Sequence, residues 1–221
     1  MSAATFLSFD GIDGTGKSTQ CKILVDWLRN CGHAVTACVD PGGTDIGAKL
    51  REILLHARTT RLSAKTEALL FMASRAELVD EIIRPALARG DIVVSDRYLL
   101  ANVVYQAHAG GLNSDDLWTI GEFATGGILP DLTLLFDLPL EAARARRGRA
   151  LDRMESRGDA YDAKVRDGFL HEAANPARRI AVIDAAPTAD VVHRNVLDVV
   201  VPFLRLKGHQ IEESTRWRGN E

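Results

Sequence analysis

The chain has 221 residues, of which 46% are hydrophobic and 26% are charged, a composition typical of a folded globular protein. Its formal net charge of −3 argues against a broadly basic surface for nucleic acid. No apolar run approaches the roughly 18 residues of a membrane span, and Met1–Asp10 lacks the basic start of a secretory signal. We therefore expect neither nucleic acid nor a membrane as a partner.

Predicted strands and helices alternate along the chain. In order, the patterns predict strand Thr5–Asp10, helix Lys17–Asn30, strand Ala34–Val39, helix Ile46–Ala57, a long helix Leu62–Arg89 bent or divided at Pro85, strand Ile92–Ser95, a helix capped by Ser114 and ended by Gly126, strand Leu132–Asp137, a helix starting over Glu141–Arg147, helix Asp162–Ala174, strand Arg179–Ile183 and helix Val191–Leu204. Continuous apolar strands between helices indicate an α/β fold with a parallel sheet. We expect one domain over residues 1–206 and a polar tail over 207–221.

The three cysteines give little sign of a special role. Cys21, Cys31 and Cys38 are an odd number and contain no CxxC pair, and no His/Cys cluster accompanies them. This usage predicts reduced thiols in a cytoplasmic protein, with a redox switch or a metal site as the alternatives.

A glycine-rich segment after the first strand matches the pattern GxxxxGK[ST], the P-loop. Glycines let backbone N–H groups turn toward phosphates, and the following helix presents its positive end. We expect Lys17 to reach the β- and γ-phosphates and the Ser18 hydroxyl to ligate Mg²⁺. The predicted ATP phosphate site comprises Gly11, Asp13, Gly14, Thr15, Gly16, Lys17, Ser18 and Thr19.

A P-loop alone does not distinguish kinases from other nucleotide-binding proteins. The sequence contains no Asn-Lys-x-Asp or Thr-Lys-x-Asp segment of the kind that reads guanine in GTPases, and no Leu-Ser-Gly-Gly-Gln segment of transporter ATPases. The chain is also small for a motor. Elimination therefore favours phosphoryl transfer to a small molecule.

A second anion site is predicted where Asp96-Arg97-Tyr98 follows the buried strand Ile92–Ser95. Ligands of open α/β sheets bind at such carboxyl ends. Asp96 is suited to act on the metal, directly or through water, and Arg97 to hold an acceptor phosphate. A surface ion pair is the alternative reading, and the P-loop makes it the less favoured one.

The stretch Arg144–Arg157 contains six arginines and two acidic residues, a net charge of +4. Such runs are usually solvated surface, and some of these arginines fit that description. Arginine supplied to the transition state of phosphoryl transfer is worth about 10³–10⁵ in rate. We therefore predict a lid over residues 144–160 that closes over ATP and excludes water.

With these motifs in order, the chain resembles the thymidylate (dTMP) kinase family. The resemblance spans about residues 6–200 and includes, beyond the P-loop, Asp40–Thr44, Leu70–Arg75, Asp96–Tyr98 through Gln106, Pro130–Thr133, Leu151–Glu155 and Val165–Phe169. It implies a three-layer P-loop kinase fold, with five parallel strands flanked by helices, in a homodimer. It implies transfer of phosphate from Mg-ATP to dTMP, giving dTDP, in dTTP biosynthesis.

The resemblance also implies roles for residues of the acceptor site. Phe71 would stack on thymine, Arg75 would hydrogen-bond its O4, and Asn102 would help to fix the base edge. Tyr105 would close the sugar pocket against a ribose 2′-hydroxyl. The list of implied dTMP-binding residues is completed by Asp13, near the sugar 3′-hydroxyl or the metal, and Arg97, on the phosphate.

The source of the catalytic arginine is a point on which the family varies. Some members carry an arginine in the P-loop where this chain has Gly14, so we expect Arg146 and Arg153 of the lid to serve instead, with Arg149 next.

The chain also departs from the family pattern in the acceptor region. Val39 and Asp40 replace a common Arg-Glu pair, Ala101 replaces a serine, and Gly110 replaces an arginine. Two alternatives therefore stay open: another pyrimidine (deoxy)nucleotide as acceptor, and a non-catalytic nucleotide-binding module. Retention of Lys17, Asp96 and Arg97 argues against the second.

Overall fold

A computed structural model of the protein describes residues 4–56, 62–147 and 157–211. Its strands are β1 (Thr5–Asp10), β2 (Val35–Val39), β3 (Ile92–Asp96), β4 (Leu132–Asp137) and β5 (Ile180–Asp184). They form one sheet in the order β2-β3-β1-β4-β5, and every neighbouring pair is parallel. The predicted α/β class and its five-stranded parallel sheet are confirmed.

The described helices lie between these strands, except for the last one, which follows β5. They are α1 (Lys17–Asn30), α2 (Asp45–Arg51), α3 (Ala64–Leu78), α4 (Arg84–Ala88), α5 (Leu99–Asn102), α6 (Ser114–Thr125), α7 (Leu140–Arg146), α8 (Asp159–Ala173) and α9 (Ala189–Leu206). π-helical turns extend α2 over Glu52–His56, join α3 to α4 over Val79–Ile83 and extend α5 over Val103–His108, and a 3₁₀ turn covers Pro176–Arg178. None of the helices in these ranges is both long and apolar enough to cross a membrane.

Alternate residues of the central strand β1 enter the cores on opposite faces of the sheet. Leu7 belongs to the cluster that contains Leu24 of α1, whereas its neighbour Phe6 belongs to the cluster that contains Met72 of α3. Side chains of a strand point alternately to its two faces, so one apolar run supplies both clusters. The predicted three layers are therefore present.

The helix α5 and its π-helical extension were not predicted. Leu99–Asn102 are all buried, and most of Val103–His108 is buried too. A helix that is buried on every side has no polar face, so its sequence lacks the periodicity by which surface helices are recognised.

Two predicted helix features differ in position from the structure. Asn113, not Ser114, caps α6, because the Asn113 side chain accepts a hydrogen bond from the backbone N–H of Asp116 at 3.1 Å. Asn is as good a cap as Ser, and the sequence offered both side by side. The long helix predicted over Leu62–Arg89 is divided at the π-helical turn before Pro85, whose ring does not fit a regular helix interior.

The order of the strands creates a crevice between β1 and β3. The chain passes from β1 to β2 over one face of the sheet and from β3 to β4 over the opposite face. The two connections therefore diverge at the carboxyl ends of the neighbouring strands β1 and β3. Ligands of open α/β sheets bind at such a switch point, outside the carboxyl ends of the strands. The P-loop follows β1. Asp96 is the last residue of β3, and Arg97 comes directly after it. Both predicted anion sites therefore border this crevice.

Candidate active site

A cavity of about 160 Å³ lies at this crevice and brings the predicted donor and acceptor sites together. Nine predicted site residues line it: Asp13, Lys17, Ser18, Phe71, Arg75, Asp96, Arg97, Asn102 and Tyr105. They come from the P-loop, the start of α1, α3, the end of β3 and the segment Leu99–His108. The six residues predicted to bind dTMP are all among them.

The P-loop is held close to two backbone segments, which explains two of its glycines. Gly11 has φ 139° and Gly14 has φ 92°, values that side chains disfavour. A Cβ atom on Gly11 would clash with the backbone oxygen of Phe136, and one on Gly14 with the backbone oxygen of Ala143 in α7. The loop therefore depends on glycine at both positions for its shape.

The first turn of α1 is arranged as an anion site. Gly16 precedes α1 in a left-handed conformation and gives no side-chain cap, so the first N–H groups of the helix stay available for phosphate. Ser18 and Thr19 are exposed on that turn, whereas Thr15 is buried and donates to the backbone oxygen of Ile12 at 2.9 Å.

Asp13 connects the two predicted phosphate-binding cations. Its Oδ1 accepts hydrogen bonds from Nζ of Lys17 and from Nη2 of Arg97, both at 2.7 Å. Burial alone would raise the pKa of the Asp13 carboxyl, but the Arg97 and Lys17 cations outweigh it and hold that pKa well below its usual range. The carboxylate thus stays ionised and keeps both cations beside the cavity.

Arg97 is held in an uncommon backbone conformation. Its φ is 68°, its N–H donates to the backbone oxygen of Phe9, and its own backbone oxygen accepts from the Ser95 hydroxyl at 2.7 Å. Its guanidinium lies 5.2 Å from the centre of the Tyr105 ring, and its Nη1 has no hydrogen-bond partner among the described residues. Strained residues concentrate at functional sites, and a buried guanidinium nitrogen without a partner can bind an anion.

Asp10, the last residue of β1, is a buried carboxyl that sequence reasoning missed. It is 0% exposed, and neither of its oxygens has a hydrogen-bond partner in the described parts of the chain. Burial raises its pKa to about 8 against the lowering effect of Arg97 and Lys17, and Asp96 and Asp40 raise it further. Asp10 is therefore a buried carboxyl immediately before the P-loop, with a pKa of about 8.

The side of the cavity opposite the P-loop residues, lined by Phe71 and Arg75, is suited to a planar ring such as a nucleotide base. Phe71 is partly exposed there, whereas Arg75 is 1% exposed and donates from Nε to Oδ2 of Asp40 at 2.6 Å. Nη1 of Arg75 donates to Met72 and Asn102, and Nη2 lies 3.5 Å from the backbone oxygen of Tyr98. These contacts fix the plane of the guanidinium beside the cavity.

The departures noted in the sequence lie in or near the same cavity. Val39 and Ala101 line it, and Asp40 keeps an ion pair with Arg75 although its side chain is shorter than glutamate. A Cβ atom on Gly110 would lie 2.5 Å from the backbone oxygen of Gln106, so the backbone at Gly110 admits no side chain.

The predicted magnesium ligands fit Mg²⁺ held mainly by phosphates. The Ser18 hydroxyl and the Asp96 carboxylate line the same cavity. Across residues 4–56, 62–147 and 157–211, no three His, Cys, Asp or Glu side chains form a metal cage. Mg²⁺ commonly keeps several waters and takes one or two protein ligands together with phosphate oxygens, so this donor set suffices.

The lid arginines are only partly within the described residues. Arg153 and Arg149 lie outside them, and Arg146 donates to the backbone oxygens of Ala185 and Ala186, both at 2.7 Å. Its neighbour Arg147, which was not singled out in the sequence, donates from Nε to the backbone oxygen of Asp13 at 3.0 Å. Nothing in the spacing of the arginines distinguishes these two orientations.

Comparison with known proteins agrees with this geometry. The sequence profile described as "Thymidylate kinase" matches residues 9–196. The chain is 50% identical over 190 residues to a thymidylate kinase of Rhodopirellula baltica, covering 86% of this chain and 77% of the relative. It is 40% identical over 206 residues to one from Kosmotoga olearia, covering 92% and 99%.

A solved structure gives the same result for the fold. A crystal structure of thymidylate kinase from Ehrlichia chaffeensis superposes with a TM-score of 0.72 at 27% identity, covering 90% of this chain and 99% of that one. The P-loop and Arg97 at the switch point agree with these matches, which extend over most of the chain. The chain belongs to the thymidylate kinase family.

Proposed function

We propose that the protein transfers the γ-phosphoryl group of ATP to dTMP, giving dTDP and ADP in the pathway to dTTP. One observation carries the proposal: a single cavity is lined by Lys17 of the P-loop, by Arg97 after β3 and by the side chains of Phe71 and Arg75. The reaction would take place within one domain over residues 1–206, followed by a polar tail, in the cytoplasm. Cys21, Cys31 and Cys38 form no disulfide with one another, which agrees with that compartment.

Catalysis in this cavity rests on position and charge. Lys17 and Arg97 are gathered on one oxygen of Asp13, so the two cations are preset to receive the donor and acceptor phosphates. An acceptor phosphate oxygen attacks the γ-phosphorus in line, so no covalent bond to the protein is needed. The side chains hold the two phosphates in reacting geometry and stabilise charge in the transition state.

The base would bind between Phe71 and the guanidinium of Arg75. Aromatic stacking on a base is worth about 1–3 kcal/mol in single-strand binding proteins, which sets the scale for Phe71. Arg75 would donate to O4 of thymine, and Asn102 would act by accepting from Nη1 of Arg75. Tyr105, stacked against Arg97, would close the sugar pocket.

Mg²⁺, held by Ser18 and Asp96 together with phosphates, would neutralise developing negative charge when bound. Arg146 or Arg153, from a lid over 144–160, would supply further positive charge to the transferring group. The hydrogen bonds of Arg146 to Ala185 and Ala186 would have to break for that role.

A panel of acceptors tests the function. Purified protein is assayed for ADP release from Mg-ATP with dTMP, dUMP, dCMP, UMP, CMP, AMP and 5-hydroxymethyl-dUMP. We expect dTMP to give the highest kcat/KM and to exceed dUMP by about 10-fold or more, the value of one methyl group in an apolar pocket. Equal or better turnover of UMP, CMP or AMP would contradict the assignment, and a preference for the hydroxymethyl compound would support the modified-pyrimidine alternative.

We infer that the protein forms a homodimer through α2, α3 and α6, which pack side by side. These helices expose large apolar side chains: Ile46 is 48% exposed, Leu69 50%, Ile120 38% and Phe123 88%. An apolar patch of this kind on neighbouring helices is typical of an interface. The family resemblance independently implies a dimer.

Replacing Phe123 with aspartate should weaken this dimer by at least tenfold in Kd, because burying a carboxylate in an apolar interface is costly. Analytical ultracentrifugation across a concentration series measures the effect. Leu206→Asp is the matched control, since Leu206 is 87% exposed at the end of α9. A monomeric wild-type protein, or equal dissociation of both variants, would refute this interface.

A further inference from the structure

A row of hydrogen bonds between buried polar side chains runs beneath the acceptor cavity. It begins at Glu67, whose Oε1 accepts a hydrogen bond from Nε2 of Gln106 at 2.8 Å. Oε1 of Gln106 accepts from Nδ2 of Asn102 at 2.7 Å, and Oδ1 of Asn102 accepts from Nη1 of Arg75 at 3.1 Å. All four residues are at most 1% exposed. We call the row Glu67–Gln106–Asn102–Arg75 the polar relay.

The direction of the polar relay is fixed because its two ends differ chemically. Arginine only donates hydrogen bonds, and an ionised carboxylate only accepts them. The second oxygen of Glu67 forms an ion pair with Nη2 of Arg157 at 2.5 Å, so both oxygens of this carboxylate face donors. Each amide between the ends must therefore turn its oxygen toward Arg75 and its NH₂ group toward Glu67. Reversing one amide would oppose two donors or two acceptors where water cannot compensate.

Three members of the polar relay, Gln106, Asn102 and Arg75, line the cavity, and Arg75 is the one that carries a charge there. Asp40 holds Nε of that guanidinium, and Asn102 provides an oxygen acceptor for Nη1. Thymine carries an acceptor oxygen at position 4, whereas cytosine carries an amino donor there. A guanidinium fixed at this edge favours the first base and opposes the second.

We propose that Glu67 is a positioning residue that sets the preference for a 4-oxo over a 4-amino pyrimidine through the polar relay. The inference rests on the proposed function, because it assumes a pyrimidine monophosphate in the acceptor cavity. Glu67 is not among the described residues that line the cavity, so it acts on the base only through Gln106, Asn102 and Arg75.

Glu67→Gln tests the polar relay with little change in side-chain volume. The amide introduced at position 67 can donate to Gln106, which lets both amides reverse and turns Nδ2 of Asn102 toward Nη1 of Arg75. We expect KM for dTMP to rise about 10-fold or more and the ratio of kcat/KM for dTMP over dCMP to fall at least fivefold, since a lost acceptor for a charged donor is costly. KM for ATP should stay within about twofold, since the P-loop lies outside the relay.

A double variant distinguishes polarity from simple loss of packing. Adding Gln106→Glu to Glu67→Gln moves the acceptor-only group one step along the polar relay. Nδ2 of Asn102 then again has an acceptor, and its oxygen returns to Arg75. Glu67→Gln lowers the logarithm of the ratio of kcat/KM for dTMP over dCMP, and we expect the double variant to recover at least half of that decrease. A purely structural role for Glu67 does not predict this recovery.

Glu172→Gln is the matched control, because it replaces a buried carboxylate that lies outside both the polar relay and the residues described as lining the cavity. Its dTMP-to-dCMP ratio should equal that of the wild-type protein. If Glu67→Gln does not fold by circular dichroism, Gln106→Met interrupts the same relay and should show the same loss of ratio. Unchanged ratios in a folded Glu67→Gln or Gln106→Met protein would overturn the proposal. Absence of dTMP turnover by the wild-type protein would instead overturn the function on which it rests.

Discussion

Arg97→Met is expected to lower kcat/KM for dTMP by about 10³-fold or more, the lower limit for an arginine that stabilises phosphoryl transfer. Nη1 of Arg97 is buried without a partner among the described residues, and Nη2 is held by Asp13 at the cavity. Methionine matches much of the arginine volume but offers no donor and no charge. Its backbone adopts φ 68° at no greater cost than arginine does, so the loss reports the guanidinium.

Three measurements make this result specific to the acceptor phosphate. Calorimetric binding of a non-hydrolysable ATP analogue should change by no more than a few fold, since Lys17 and the P-loop stay in place. Arg97→Lys should retain part of the turnover, because it keeps the charge but loses the planar fork. Arg89→Met, which removes a surface arginine paired with Asp91, should leave turnover unchanged. Normal dTMP turnover by Arg97→Met would show that the acceptor phosphate binds elsewhere.

The second large effect concerns pH and the buried carboxyl of Asp10. Its pKa is raised from 3.8 to about 8 in the folded protein. Between these values the folded state holds a proton that the unfolded state has lost, so the free energy of unfolding falls as pH rises. The slope from this one group approaches 1.4 kcal/mol per pH unit, about the value for one proton. The contribution is complete below pH 3.8 and is lost as pH passes 8.

Asp10→Asn should remove that slope, because an amide does not ionise. Urea unfolding of both proteins is measured from pH 5 to 9 without nucleotide or Mg²⁺, and the difference between their free energies of unfolding is plotted against pH. The pKa of His193 is lowered to about 4, but this group is present in both proteins and cancels in the difference. Asp40 interacts with Asp10, so the difference reports Asp10 together with that interaction. A difference that does not change with pH would contradict a raised pKa at Asp10.

Features that depend on neighbouring residues were predictable from the sequence. The strand β1, the P-loop and α1 follow one another within 26 residues, from Thr5 to Asn30, and each was predicted at its observed bounds. Asp96 and Arg97 were predictable as a site because they end and follow a continuous apolar strand, and the carboxyl ends of parallel strands meet. The roles of Phe71, Arg75, Asn102 and Tyr105 needed the family resemblance and stay predictions, although all four line one cavity.

Features that depend on tertiary contact were not predictable. Glu67 and Gln106 are 39 positions apart, and nothing in either segment indicates that an amide meets a carboxylate. Arg146 and Arg147 are adjacent and chemically identical, yet one binds the backbone of Ala185 and the other that of Asp13. Asp10 looked like the polar end of an apolar strand, and only its packing gives it a raised pKa.

The contact between Gly14 and α7 limits which substitutions the P-loop accepts. Because the backbone oxygen of Ala143 occupies the place of a Cβ atom, any side chain at position 14 requires α7 to move away from the loop. Moving α7 would also displace Arg146, which is the last residue of this helix, and Arg147, which comes directly after it. A variant that gains an arginine in the P-loop would thus disturb the arginines it already has. In this molecule a side chain at position 14 and the observed position of α7 exclude each other, so gaining an arginine there takes coordinated substitutions in both segments.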